Sequence, residues 1–169
     1  VRLVDLASSP GLTSPSREVW DLVMRASEAW SSQDPQGVAS CYEPTATLTI
    51  NRGKPSTGRV ELAETAASYM RAFPDLQVSV DHVLVAGDAV FWTWTLTGTN
   101  DVAGGTGNRV RVSGVEVWTM GASGLVASSV GYYDAATYEQ QLAHGIERQR
   151  LAGSRPRERR RKLEAYLLK

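Results

Sequence analysis

The stretch from Phe73 to Asp134 constrains this chain most, because it reads as four β-strands in succession. Runs rich in Val, Thr and Trp alternate there with Gly and Asp turn signals. Leu76 to Val85 sets Val78, Val80, His82 and Leu84 on one face, against Ser79 and Asp81. Ala86-Gly87-Asp88 supplies a tight hairpin, since Gly tolerates φ > 0 and Asp tolerates the left-handed region. Ala89 to Thr99 places Trp92, Trp94 and Leu96 opposite Thr93, Thr95 and Thr97. A Gly-rich loop from Asn100 to Asn108 leads into Arg109 to Met120, and Gly121-Ala122-Ser123-Gly124 turns the chain into Leu125 to Tyr133. A meander of this kind has a face to bury and is not stable as an isolated layer, so the remaining sequence must cover it.

The cover comes from helices. Residues 1–15 carry Ser, Gly and Pro without a period and read as a flexible arm, closed by Ser14-Pro15 as a helix start. From Ser16 to Ser32, Val19, Trp20, Val23, Ala26, Ala29 and Trp30 recur at helical spacing. Asp34-Pro35 opens a shorter helix through Tyr42, Ala46 to Asn51 is a short strand, and a third helix runs from Arg59 until Pro74 stops it. Asp134 caps a further helix through Leu142. The order predicts an α+β domain over residues 16–145: a cone-shaped barrel, in which a curved antiparallel or mixed sheet wraps around three helices and leaves a concave cavity.

One chain of 169 residues suffices for a single domain with a core. Cys41 stands alone, which removes intrachain disulfides and cysteine-based zinc sites. No apolar run has the length of a membrane span and no secretory pattern opens the chain, so a cytoplasmic home without membrane association is expected. Residues 146–169 read as a basic tail, with Leu163, Tyr166 and Leu167 on one side of a helix. From Arg148 onward nine Lys or Arg stand against two Glu, about +7, which leaves the body near −7. Nucleic acid is therefore an unlikely partner except through the tail.

Several stretches resemble a known family. Phe73-Pro74-Asp75-Leu76, Gly87-Asp88-Ala89-Val90, Trp94-Thr95-Leu96-Thr97-Gly98-Thr99, and Gly124-Leu125-Val126 followed by Tyr132-Tyr133-Asp134 are similar to the SnoaL-like polyketide cyclases. These belong to the nuclear transport factor 2-like superfamily, with ketosteroid isomerase and limonene epoxide hydrolase. The resemblance spans roughly Arg17 to Leu142 and marks the fold better than the chemistry. It implies a general acid or base near the end of the last strand, where this chain has Gly131. The Arg and Asp of the epoxide hydrolases fall near Thr93 and Thr95, and the isomerase base falls near Ile50 or Asn51. None of the three catalytic sets is intact.

The residues left for chemistry are His82, Glu116 and Asn51, with Trp118, Thr93, Tyr133 and Gly131 lining the substrate. His82 on an apolar strand face is either a hydrogen-bonded core residue or a proton carrier. Glu116 falls near the isomerase's second pocket carboxyl, or points outward if the register slips by one. Asn51 matches a water-positioning Asn, or serves the turn with Arg52-Gly53. Trp118 shares the face of Glu116, and Tyr133 that of Gly131. The expected function is cofactor-free and metal-free acid–base chemistry on a small apolar oxygenated molecule of polyketide, steroid or terpenoid type: cyclisation, isomerisation, or epoxide or ester hydrolysis. The alternative is a binding protein whose pocket lacks the family acid. A homodimer through the outer face of the sheet is expected.

Overall fold

The computed structural model describes residues 11–152, with side chains through residue 146. Four helices and one six-stranded sheet make up an α+β fold, with α1 (Arg17–Ser31), α2 (Pro35–Ser40), β1 (Tyr42–Ile50), β2 (Ser56–Thr57), α3 (Gly58–Ala72), β3 (Gln77–Ala86), β4 (Ala89–Thr99), β5 (Arg109–Met120), β6 (Val126–Tyr133) and α4 (Ala135–Ala152). The sheet order is β2-β1-β6-β5-β4-β3. β1 runs parallel to β6 and every other pair is antiparallel. The sheet curves without closing, with β2 and β3 as its edges, so the expected barrel is an open cone, and α4 is the further helix expected after Asp134.

Local chemistry sets the ends of these elements. The Ser16 hydroxyl accepts from the Val19 amide at 3.3 Å, so the cap of α1 lies two residues beyond the Ser14 expected for it. Asp34 accepts from the Gly37 amide at 2.8 Å, with Pro35 opening α2. Asp134 accepts from the Thr137 amide and hydroxyl at 3.0 and 2.7 Å and starts α4, which continues beyond Leu142 through a non-helical Gly145 at φ 74°. In the Phe73-Pro74-Asp75-Leu76 stretch, Phe73 and Leu76 are fully buried, and Asp75 accepts from the Thr99 amide and hydroxyl at 2.6 and 2.8 Å. That stretch therefore fastens the end of α3 to the end of β4. A Cβ at Gly98 would come within 2.9 Å of the Phe73 Cβ, so the glycine of the Trp94-to-Thr99 motif makes room for that ring.

The expected flexible arm is paired where it is described: Thr13 exchanges backbone hydrogen bonds of 2.9 and 3.0 Å with Val85 on the β3 edge. The proposed tail helix with Leu163, Tyr166 and Leu167 lies outside the described residues.

The core fills the concave side. Leu22, Val23 and Ala26 of α1, Leu62 and Ala66 of α3, and Trp92, Trp94 and Trp118 of the sheet are buried together. Residues directly opposite one another across the sheet form transverse rows. One concave row is Val83, Trp92, Glu116, Gly131 and Ile50, and the next is Val85, Val90, Trp118, Ser129 and Leu48. The convex row between them is Leu84, Phe91, Val117, Val130 and Thr49.

Strand β3 does not alternate throughout. Val80 pairs with Trp94 but His82 pairs with Thr93, so Asp81 is an extra residue on β3. Such a bulge inverts the facing of everything beyond it. Val78 and Val80 face the cavity before it, Val83 is buried after it, and His82 is exposed on the convex side. His82 therefore shares the convex face with Leu84, and the expectation that it lies with Val78 and Val80 on the concave face is corrected.

Candidate functional site

The concave face and the helices enclose a cavity of about 70 Å3. Eight of its seventeen lining residues are Trp or Tyr, Glu116 is the one carboxylic acid among them, and no lining residue is basic. Trp92 and Trp118 form the floor with ring centroids 5.3 Å apart, and Tyr42 stands edge-on to Trp118 at 6.3 Å. Toward the opening, Trp94 meets Tyr133 at 6.3 Å, Tyr133 meets Tyr138 of α4 at 5.6 Å, and Trp30 of α1 meets Tyr69 of α3 at 6.1 Å. The Tyr69 and Tyr133 hydroxyls are 3.4 Å apart. Each wall of the cavity thus comes from a different element, and the period-two pattern of β4, β5 and β6 aims the sheet's contribution inward.

Glu116 occupies the place where the family acid was expected. It sits directly opposite Gly131 in the β5–β6 pair, and a Cβ built on Gly131 would overlap Glu116 Oε1. Glycine at 131 therefore vacates the space that the neighbouring strand's carboxyl fills. The Ser129 hydroxyl, one row away on β6, donates to Glu116 Oε2. Burial pushes the Glu116 carboxyl up to about 7, and the Ser129 hydrogen bond pulls in the opposite direction without cancelling it. A group poised there exchanges a proton with a substrate at neutral pH in either direction.

The phenols around it are held neutral. Burial, with the Glu116 charge as the next cause, pushes the Tyr42 phenol well above its ordinary value. Burial and then the Tyr133 hydrogen bond do the same for Tyr69, and burial raises Tyr138. Two indole donors, Trp92 Nε1 and Trp118 Nε1, are buried without a hydrogen-bond partner among the described residues.

Four of the sequence-derived candidates are brought together: Glu116, Trp118, Gly131 and Tyr133 all line the cavity. Three are not. His82 is exposed on the convex side for the reason given above. Thr93 faces away from the cavity, since its neighbours Trp92 and Trp94 face into it; its hydroxyl is buried without a partner among the described residues. Asn51 is absent from the lining and serves the chain turn: its side-chain oxygen accepts from the Tyr133 amide at 3.0 Å, its own amide donates to Gly131 at 2.9 Å, and its backbone is left-handed at φ 47°. The residues missed were Ser129, Tyr42, Tyr69 and Trp92. Ser129 lies two positions before Gly131, and by period two it shares that residue's face. The hydroxyls of α3 and β1 reach the cavity only through the fold and carry no local signal. Among the described residues no group of three His, Cys, Asp or Glu gathers at metal-binding distance.

Residues 23–129 match the SnoaL-like domain family. The chain belongs to that family. No curated protein matches the sequence. Solved structures with the same fold include a SnoaL-like polyketide cyclase from Jannaschia sp. CCS1, at 20% identity and TM-score 0.68 over 78% of this chain and 98% of that one. A protein of ketosteroid isomerase-like fold from Catenulispora acidiphila, solved in complex with trimethylamine, aligns at 18% identity and TM-score 0.66 over 77% and 94%. The epoxide hydrolase/cyclase-like enzyme SalBIII of salinomycin pyran ring formation aligns at 18% identity and TM-score 0.60 over 70% and 92%. At these identities the likeness establishes the fold this SnoaL-like chain shares with them.

Proposed function

We propose that this SnoaL-like protein is a cofactor-independent acid–base enzyme acting on a small, largely apolar, oxygenated substrate, by cyclisation, isomerisation, or epoxide or ester hydrolysis. The observation that carries this is the Glu116 carboxyl lying over Gly131 within an aromatic cavity, where burial moves its proton affinity to the operating range. Glu116 is the proton-transfer group, Ser129 positions it, and Trp118 and Tyr133 pack the substrate. Proton transfer by one well-placed group contributes about 10²–10⁴-fold. The cavity is small: an apolar cavity of about 150 Å3 takes one benzene ring, twice the present volume. The enclosed space therefore takes one functional group or small ring of the substrate, with the remainder of a larger molecule lying in the opening. The protein works in the cytoplasm as a homodimer joined through its convex sheet face.

The test is hydrogen exchange in heavy water. Small enolisable ketones and epoxides are incubated with wild type and with Glu116→Gln, and exchange or opening is followed by NMR. Wild-type turnover at least a hundredfold above Glu116→Gln, with a rate that changes near pH 7, supports the reading. Equal rates for the two proteins across the panel reject it in favour of a protein that binds its ligand without turning it over.

A further inference from the structure

The cavity holds a carboxyl and no basic group to balance it, and eight of its seventeen lining residues are aromatic. No other lining residue carries a charge, so an ionised Glu116 has no counter-charge within the cavity. A cation answers both features, since ring faces attract positive charge and prefer alkylated ammonium groups. We propose that the cavity recognises the cationic head of a small alkylated amine, with Trp30, Tyr69, Trp94, Tyr133 and Tyr138 around its methyl groups and Glu116 as its counter-charge. The proposal rests on the cavity being the ligand site with Glu116 as its acid, and adds a chemical class for what enters.

The geometry favours this occupant in two further ways. The ring pairs meet edge-to-face or tilted, at 78° for Trp30–Tyr69, 59° for Trp94–Tyr133 and 70° for Tyr133–Tyr138, so each contact takes up a face of one ring only. Faces not consumed by mutual stacking remain for a third group. The volume of about 70 Å3 accommodates a head of about four heavy atoms. Around Glu116 stand Trp92 on β4, Ser129 and Gly131 on β6, Tyr42 on β1 and Tyr69 on α3, and none of them carries a positive charge. A bound ammonium would thus meet no competing cation and would favour the ionised carboxylate, releasing its proton.

The experiment is an NMR titration of the full chain, reading the indole N–H signals of the lining tryptophans at constant ionic strength. The probes are trimethylammonium chloride and the uncharged tert-butyl alcohol, at pH 6 and pH 8. With Glu116 titrating at about 7, trimethylammonium should bind about tenfold more tightly at pH 8, while the alcohol shows no trend. Glu116→Gln should abolish both the trend and the preference for the cation, with the indole spectrum still dispersed. Trp94→Leu should weaken the cation more than the alcohol. Equal affinity for the two probes, an unchanged response in Glu116→Gln, or no cation binding by wild type would overturn the inference. Failure here with ketone or epoxide turnover intact removes only the amine; loss of turnover with pH-dependent cation binding intact removes only the proposed chemistry.

Discussion

Glu116, the acid of the proposed chemistry, also makes stability depend on pH. Its carboxyl ionises at about 7 in the folded chain against an ordinary value of 4.5. The folded state therefore holds a proton that the unfolded state gives up between those two pH values, so stability is greatest below about 4.5 and falls as pH rises to about 7. The difference amounts to about 2–3 kcal/mol between pH 5 and pH 8. Urea unfolding of wild type and Glu116→Gln at those two pH values should show the variant gaining by that amount at the higher pH; parallel behaviour would mean that the carboxyl is solvated. His82→Ala, by contrast, should shift stability by no more than about 0.5 kcal/mol and leave ligand binding unchanged, because the ring is exposed on the far side of the sheet. Phe73→Ala should cost about 3–5 kcal/mol in the same unfolding experiment, since the ring is fully buried against Gly98 and Tyr138. Alternation alone was enough to place Glu116 with Trp118 and Gly131 with Tyr133. The same alternation already set Thr93 opposite Trp92 and Trp94, and only its alignment with a family arginine suggested a place in the cavity. His82 was misplaced because one extra residue in β3 shifts no composition and breaks no visible period, yet reverses the strand's facing.

At the scale of elements, the pairing of β5 with β6 sets the Glu116 carboxyl over Gly131. The row Trp92–Glu116–Gly131 puts a carboxyl-bearing residue beside a position without a side chain, and the two share one volume. A long side chain reaching over its neighbour and a shorter one rising from that neighbour are alternative ways to fill it. Gly131→Asp alone should therefore be destabilising, because the new Cβ meets Glu116 Oε1 and two carboxyls crowd an apolar site. Combining it with Glu116→Gly should recover most of the lost stability and the proton-transfer activity, a non-additive result readable as a double-mutant cycle. Additive losses would place the two side chains apart. The strands and helices around this pair were legible because Gly, Pro and Asp mark nearly every boundary. The two-residue β2 and the extension of α4 past Gly145 carry too little local pattern to be read.

For the whole molecule the open question is what covers the convex face. The described helices lie on the concave side and at the edges, whereas Leu84, Phe91, Val117 and Val130 form an unbroken apolar row across the middle of the other side, with Val115 and the exposed Tyr132 in the row beside it. All of them keep accessible surface in the single chain, and they lie on four adjacent strands, so a flat, self-complementary patch of this sort is suited to a second copy about a twofold axis. Val117 is at the centre, where a charge would be buried twice in a symmetric contact. Val117→Lys should convert a dimer to a monomer in sedimentation experiments and leave circular dichroism and cavity titrations unchanged, because its side chain points away from Glu116 on the next residue. A wild-type chain that sediments as a monomer at tens of micromolar, or a Val117→Lys chain that remains dimeric, would remove the convex face as the interface. The cavity chemistry would stand in either case, since every side chain that lines it comes from within one chain.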